Sequence, residues 1–81
     1  MLKELFNKHY QNFYINNAGE IVGIETPKSH WIIKNPEELK QYYIDTINRC
    51  KALNTNYDPI KNKITKYEKM LKKLENAMKK L

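Results

Sequence analysis

Between Ile60 and Leu81 the apolar residues Ile60, Ile64, Tyr67, Leu71, Leu74, Met78 and Leu81 recur at alternating spacings of four and three. Only an α-helix gathers such a series into one continuous stripe. Written as heptads, Ile64, Leu71 and Met78 fall at a and Ile60, Tyr67, Leu74 and Leu81 at d, with Met70 and Ala77 at g widening the stripe. A helix over these residues is about 33 Å long at ~1.5 Å per residue. The same stretch holds the whole charge excess of the chain: eight Lys stand against Glu68 and Glu75, whereas residues 1–59 balance at seven against seven. Lys66, Lys69, Lys72, Lys73, Lys79 and Lys80 occupy b, c and f, the positions farthest from the stripe.

Upstream, Asp58-Pro59 reads as a helix N-cap followed by Pro at N1, and Asn35-Pro36-Glu37-Glu38 is a fuller version of the same start. There Asn caps, Pro supplies a preset φ, and Glu at N3 is placed to reach the cap N–H. The helix it opens carries Leu39, Tyr43, Ile47, Cys50 and Leu53 on one face until Asn54-Thr55-Asn56 stops it. About five residues then separate the two helices, and so short a connector makes antiparallel neighbours.

The first part of the chain reads differently. Leu2, Leu5, Phe6 and His9 follow helical spacing, which predicts a short amphipathic helix over residues 2–10. Phe13-Tyr14-Ile15 and Glu20-Ile21-Val22-Gly23-Ile24-Glu25 flank Asn16-Asn17-Ala18-Gly19, a hairpin signal because Asn and Gly accept the positive φ of such turns. Thr26-Pro27-Lys28-Ser29 ends the second strand, and His30-Trp31-Ile32-Ile33 forms a third. Gly23, with Gly19 of the turn its one glycine neighbour, marks a bulge or a close approach and not a phosphate loop.

The expected fold class is therefore α+β in one domain of 81 residues: a short N-terminal helix and a three-stranded antiparallel β-meander over residues 1–34, then an antiparallel helical hairpin over residues 35–81. A single core of this size leaves only about 3–5 kcal/mol of net stability. A lone Cys50 excludes an intrachain disulfide, and His9 and His30 are the only histidines and lie in no ligand-spaced cluster. Association is the reinforcement left. The predicted 17-residue helix before it is too short to cover the last one, so the end with Leu74, Met78 and Leu81 is expected to overhang. Each large apolar side chain left exposed forfeits ~1.5–3 kcal/mol. The stripe has three readings: closing the hairpin within one molecule, joining copies of this chain, or docking on a foreign protein.

For catalysis the chain offers little. His30 is the candidate base, with Glu20, Glu25 or Cys50 as companions, yet no two of these share a recognised spacing. Glu37 and Glu38 are explained by the helix dipole, and Cys50 is read as a reduced, half-buried thiol. No enzyme activity and no cofactor is expected. Tyr10, Phe13, Tyr14, Trp31, Tyr42 and Tyr43 outnumber what a small core hides, and Tyr14, Trp31, Tyr42 and Tyr43 are the candidate partner contacts.

The six outer lysines are the candidate anion contacts, for nucleic acid or for a nucleotide held between subunits. Arg is nearly absent, with Arg49 alone against 14 Lys, and no aromatic interleaves the Lys face. Lys, Asn, Ile and Tyr make up 39 of the 81 residues, the bias of an AT-rich genome. Neither a signal-peptide core nor an apolar run of the ~20 residues that span a bilayer is present. These features together predict a cytoplasmic, non-enzymatic interaction protein that self-associates and binds a partner protein, of the kind a phage or mobile element uses against a host defence factor.

Overall fold

In a computed structural model, residues 8–81 are described. Their element order is β1 (Asn12–Ile15), β2 (Ile21–Thr26), β3 (Ser29–Ile33), α1 (Pro36–Lys51) and α2 (Asp58–Met78). The strands form one antiparallel sheet in the order β1-β2-β3, so the expected meander and helical pair are present. The helix expected over residues 2–10 falls mostly outside the described residues, and its last three, Lys8 to Tyr10, are not helical.

Turn chemistry explains the first hairpin. Gly19 takes a positive φ of 79°, a conformation that costs glycine nothing. The Asn16 carboxamide oxygen accepts from the amides of Ala18 at 3.0 Å and Glu20 at 2.9 Å, closing the loop on itself. Register then pairs Phe13 with Gly23 and Ile15 with Ile21 on one face, and Tyr14 with Val22 on the other. Across β2 and β3, Ile21 pairs with Ile33 and Val22 with Ile32, and the register shifts between Ile24 and Thr26.

The inner sheet face meets both helices in one apolar cluster of Tyr10, Phe13, Ile21, Ile33, Leu39, Tyr43, Met70, Leu74 and Ala77. Gly23 is the close-approach point its sequence setting announced. A Cβ built there would lie 2.5 Å from Tyr10 Cδ1, and the Tyr10 ring, 1 % exposed, has no room to retreat. The absent side chain is what lets Tyr10 lie flat against the sheet and under α2.

The helix starts differ in detail from expectation. Asn35 caps α1 through its carbonyl, which accepts from Glu38 and Leu39, while its side chain makes no capping bond. Tyr57, not Asp58, is the N-cap of α2, which places Asp58 and Pro59 inside the first turn. α1 ends at Lys51, two residues early, because Asn54 folds a turn in which its side chain accepts the Asn56 amide. Leu53 therefore leaves the apolar face and is 59 % exposed.

Two residues, Lys34 and Asn35, join β3 to α1, so the start of α1 is tied to the sheet. The antiparallel return then brings the second half of α2 back over the sheet, and its first half projects away with the end of α1. This reverses the expected overhang: Leu74 is fully buried and Met78 packs against the core, whereas Ile60 and Ile64 at the other end are only half-buried. Glu68 and Glu75, the two acids of the basic stretch, face α1 and pair with Lys51 and Lys40, each at 3.7 Å.

The Tyr10–Gly23 contact yields a direct test. Gly23→Ala overpacks the sheet and is expected to lower unfolding free energy by ~1–3 kcal/mol, read from urea midpoints; an unchanged midpoint would show that Tyr10 does not lie there.

Candidate functional site

The seven residues of the α2 stripe divide into two groups. Leu74 is consumed by the core, with Met70 and Ala77 beside it, so Leu74 is not a seam residue and that expectation is corrected. Its burial follows from the return of α2 over the sheet. Leu71, Tyr67 and Met78 are partly buried at the margin of the same cluster. Ile60 and Ile64 lie beyond the sheet and remain half-buried, and Leu81 is exposed past the helix end. Leu53 and Tyr57, 59 % and 57 % exposed, extend the apolar surface around the hairpin tip. Tyr57 was not legible as part of this surface, because it lies in the connector, outside either helical period.

Between the helices Thr46, Ile47 and Cys50 are buried. Cys50 is more deeply enclosed than expected, since it faces α2 near Tyr67 at the point where the two helices close on one another.

The four aromatic candidates do not form one face. Tyr43 is fully buried, so it cannot touch a partner; the alternation of α1 turns it into the core, edge-on to Tyr67 at 5.6 Å. Tyr42 is half-buried beside it, its ring centroid 6.2 Å from that of Tyr43. Tyr14 and Trp31 are exposed, at 39 % and 38 %. They belong to opposite faces of the sheet, because Tyr14 pairs with Val22 and Trp31 with Gly23. Trp31 is held by its own chain: its indole N–H donates to Glu25 at 3.0 Å, and the Lys8 ammonium sits 4.1 Å above its ring. Lys8 and Glu25 are themselves paired at 3.7 Å.

On the outer face Tyr14 reaches over the central strand to His30, ring edge to ring, with a 3.1 Å hydrogen bond between its hydroxyl and His30 Nδ1. Val22 is buried under this clasp, flanked on the other side by the exposed Ile32. Tyr14, Val22 and Ile32 make an apolar row across all three strands.

The groups considered for catalysis are each engaged separately. His30 is bonded to Tyr14, Glu25 to Trp31 and Lys8, Glu20 to Asn16, and Cys50 is enclosed between the helices. Among the described residues no group of three His, Cys, Asp or Glu is placed to hold a metal ion. No helix among them is long and apolar enough to cross a membrane.

The six lysines also part company. Lys66, Lys69 and Lys73 line a cleft against residues 9–11. Lys72 lies in a groove facing α1 beside Glu68 and Glu75. Lys73 and Lys80 border β1, and Lys79 caps the end of α2. A heptad projection merges these faces because it carries no information about what packs on either flank.

Compared with protein-family models, with curated proteins and with solved structures, the chain matches none.

Burial of phenols marks the core electrically. The Tyr10 hydroxyl is pushed up to about 12 by burial and then by Glu25. Burial likewise raises Tyr43, with smaller contributions from Tyr10, Tyr67 and Tyr42, and it raises Tyr67. Raised folded-state values mean stability that is intact below the ordinary tyrosine range near pH ~10 and lost as pH climbs through the folded values. The Tyr43 hydroxyl is also buried with no hydrogen-bond partner among the described residues, a cost of ~1–3 kcal/mol for an unsatisfied group. Tyr43→Phe is therefore expected to leave stability at pH 7 equal or higher and to flatten its fall above pH ~10. Calorimetric melting across that range checks both, and a clear loss at pH 7 would mean the hydroxyl is bonded after all.

Proposed function

We propose that the chain is a non-enzymatic interaction protein that self-associates through the projecting part of its helical hairpin and offers the outer sheet face to a partner protein. One observation carries this reading: along α2 the a and d residues Ile60, Ile64, Tyr67 and Leu71 are only partly buried by the chain itself, while the next one, Leu74, is fully buried. A stripe that continues past its own core leaves apolar area for another surface to cover. Leu53 and Tyr57 enlarge that area at the tip. Tyr14 and Ile32, exposed on either side of the buried Val22, are the partner surface, with Tyr14 its aromatic anchor. The composition, rich in Lys, Asn, Ile and Tyr, fits a phage or mobile-element origin, where small inhibitors of host factors act by binding alone.

Ile64 is the discriminating position, because it belongs to the stripe but not to the core cluster. Ile64→Glu is expected to halve or further reduce the particle mass measured by light scattering while circular dichroism keeps the parent's helix content. A parent that already runs as a single subunit, or a variant that keeps the parent's mass, contradicts the seam.

A further inference from the structure

A cluster of lysines without carboxylate partners among the described residues lies away from the hairpin tip, where the segment His9–Gln11 passes beside α2. The two enclose a cleft of about 400 Å³, within the ~300–1,000 Å³ of small-molecule sites. Lys66, Lys69 and Lys73, spaced by three and four, present one helical face into it, with Asn62 and Thr65 one turn earlier. Lys73 donates to the Gln11 carbonyl at 2.7 Å and so fixes one wall. On the inner side stand Met70 and Tyr10, and His9 Nδ1 lies 3.3 Å from Met70 Sδ. The thioether sulfur only accepts, so the His9 ring N–H points at it and the ring is oriented.

Three acids carried by β2 and α2 among the described residues are paired elsewhere. Glu25 pairs with Lys8, Glu68 with Lys51 and Glu75 with Lys40. Among the described residues, no carboxylate lies within ion-pair distance of Lys66, Lys69 or Lys73. The His9 ring registers the resulting field: its pKa is lowered by burial and then by Lys66 and Lys73. Three ammonium groups, an oriented imidazole and two neutral polar side chains around an apolar inner wall match a doubly charged oxyanion attached to a less polar body.

We infer that the cleft between residues 9–11 and α2 is a binding site for a small phosphate-bearing molecule, with Lys66 and Lys69 as the phosphate contacts, Lys73 as the residue that holds the cleft open, and Tyr10 and Met70 as the apolar wall for the rest of the ligand. A phosphate there supplies the missing counter-charge. Lys79 and Lys80, equal in charge but outside the cleft, serve as the internal control. This assignment stands whether or not the hairpin self-associates, because every residue it uses comes from one molecule.

The test follows the His9 imidazole by NMR in the full chain while inorganic pyrophosphate is added at constant ionic strength. Lys66 and Lys73 lower the His9 pKa and Lys69 lines the same cleft, so a bound anion offsets the lysine charge and raises the His9 pKa. The expected result is a saturable shift with that rise, weakened about tenfold or more in Lys66→Gln/Lys69→Gln and unchanged in Lys79→Gln/Lys80→Gln. Absence of a saturable shift, or equal weakening in both double variants, overturns the site. A single-stranded oligonucleotide provides the second arm. If its binding depends on the two lysine pairs alike and leaves His9 unmoved, phosphate recognition belongs to the helix surface and the small-ligand cleft is refuted.

Discussion

A sheet whose strands are four, six and five residues long reaches no farther than about 20 Å at ~3.3 Å per residue. A helix of 21 residues runs to about 32 Å. That mismatch governs the molecule. Where α2 lies over the sheet Met70, Leu74 and Ala77 are buried, and where it runs past the sheet α1 is the one described helix or strand that accompanies it. The result is an elongated particle of 43 × 24 × 24 Å, with its core at one end and a two-helix projection at the other. Among the described residues no third element covers the outer flank of the stripe there, so Ile60, Ile64, Tyr67 and Leu71 are only partly buried.

Local chemistry decides which end is buried. Asn16 and Gly19 close the first hairpin, and a two-residue link from β3 to Pro36 anchors the start of α1 to the sheet. An antiparallel partner must then return its second half to that anchor. Gly23 provides the depth for this: without a side chain there, Tyr10 fits between β2 and α2, and Met70, Leu74 and Ala77 close over it. The two glutamates of α2 turn toward α1 and leave the lysines of the opposite flank without a counter-ion among the described residues. Packing, not composition, thus creates the basic cleft beside His9.

Much of the architecture was legible because it depends on neighbours in sequence. Asn-Asn-Ala-Gly between β-branched runs, and Asn-Pro-Glu-Glu before a three-four pattern, are local devices whose physics needs no tertiary partner. The direction of the overhang was not, since both ends of the stripe carry equally apolar residues and only the link at Lys34–Asn35 breaks the tie. Tyr43 and Tyr14 were likewise indistinguishable as aromatic positions; helix phase buries the first, and strand alternation sends the second to the open face. Leu53 kept the helical spacing but lost its place when Asn54 ended the helix. The lysines looked like one face because heptad positions ignore flanking elements, and the contribution of residues 9–11 to the cleft comes from a contact about sixty residues away in the chain.

α2 divides at about Leu71 into a half covered by its own core and a half that the proposed self-association would cover. Amide hydrogen exchange measured at a series of protein concentrations reads the two halves separately. Protection at Met70 to Ala77 is expected to be high and independent of concentration, while protection at Ile60 to Tyr67 rises as concentration is raised. Equal protection along the whole helix at every concentration would contradict the account, because the chain would then be covering its entire stripe alone.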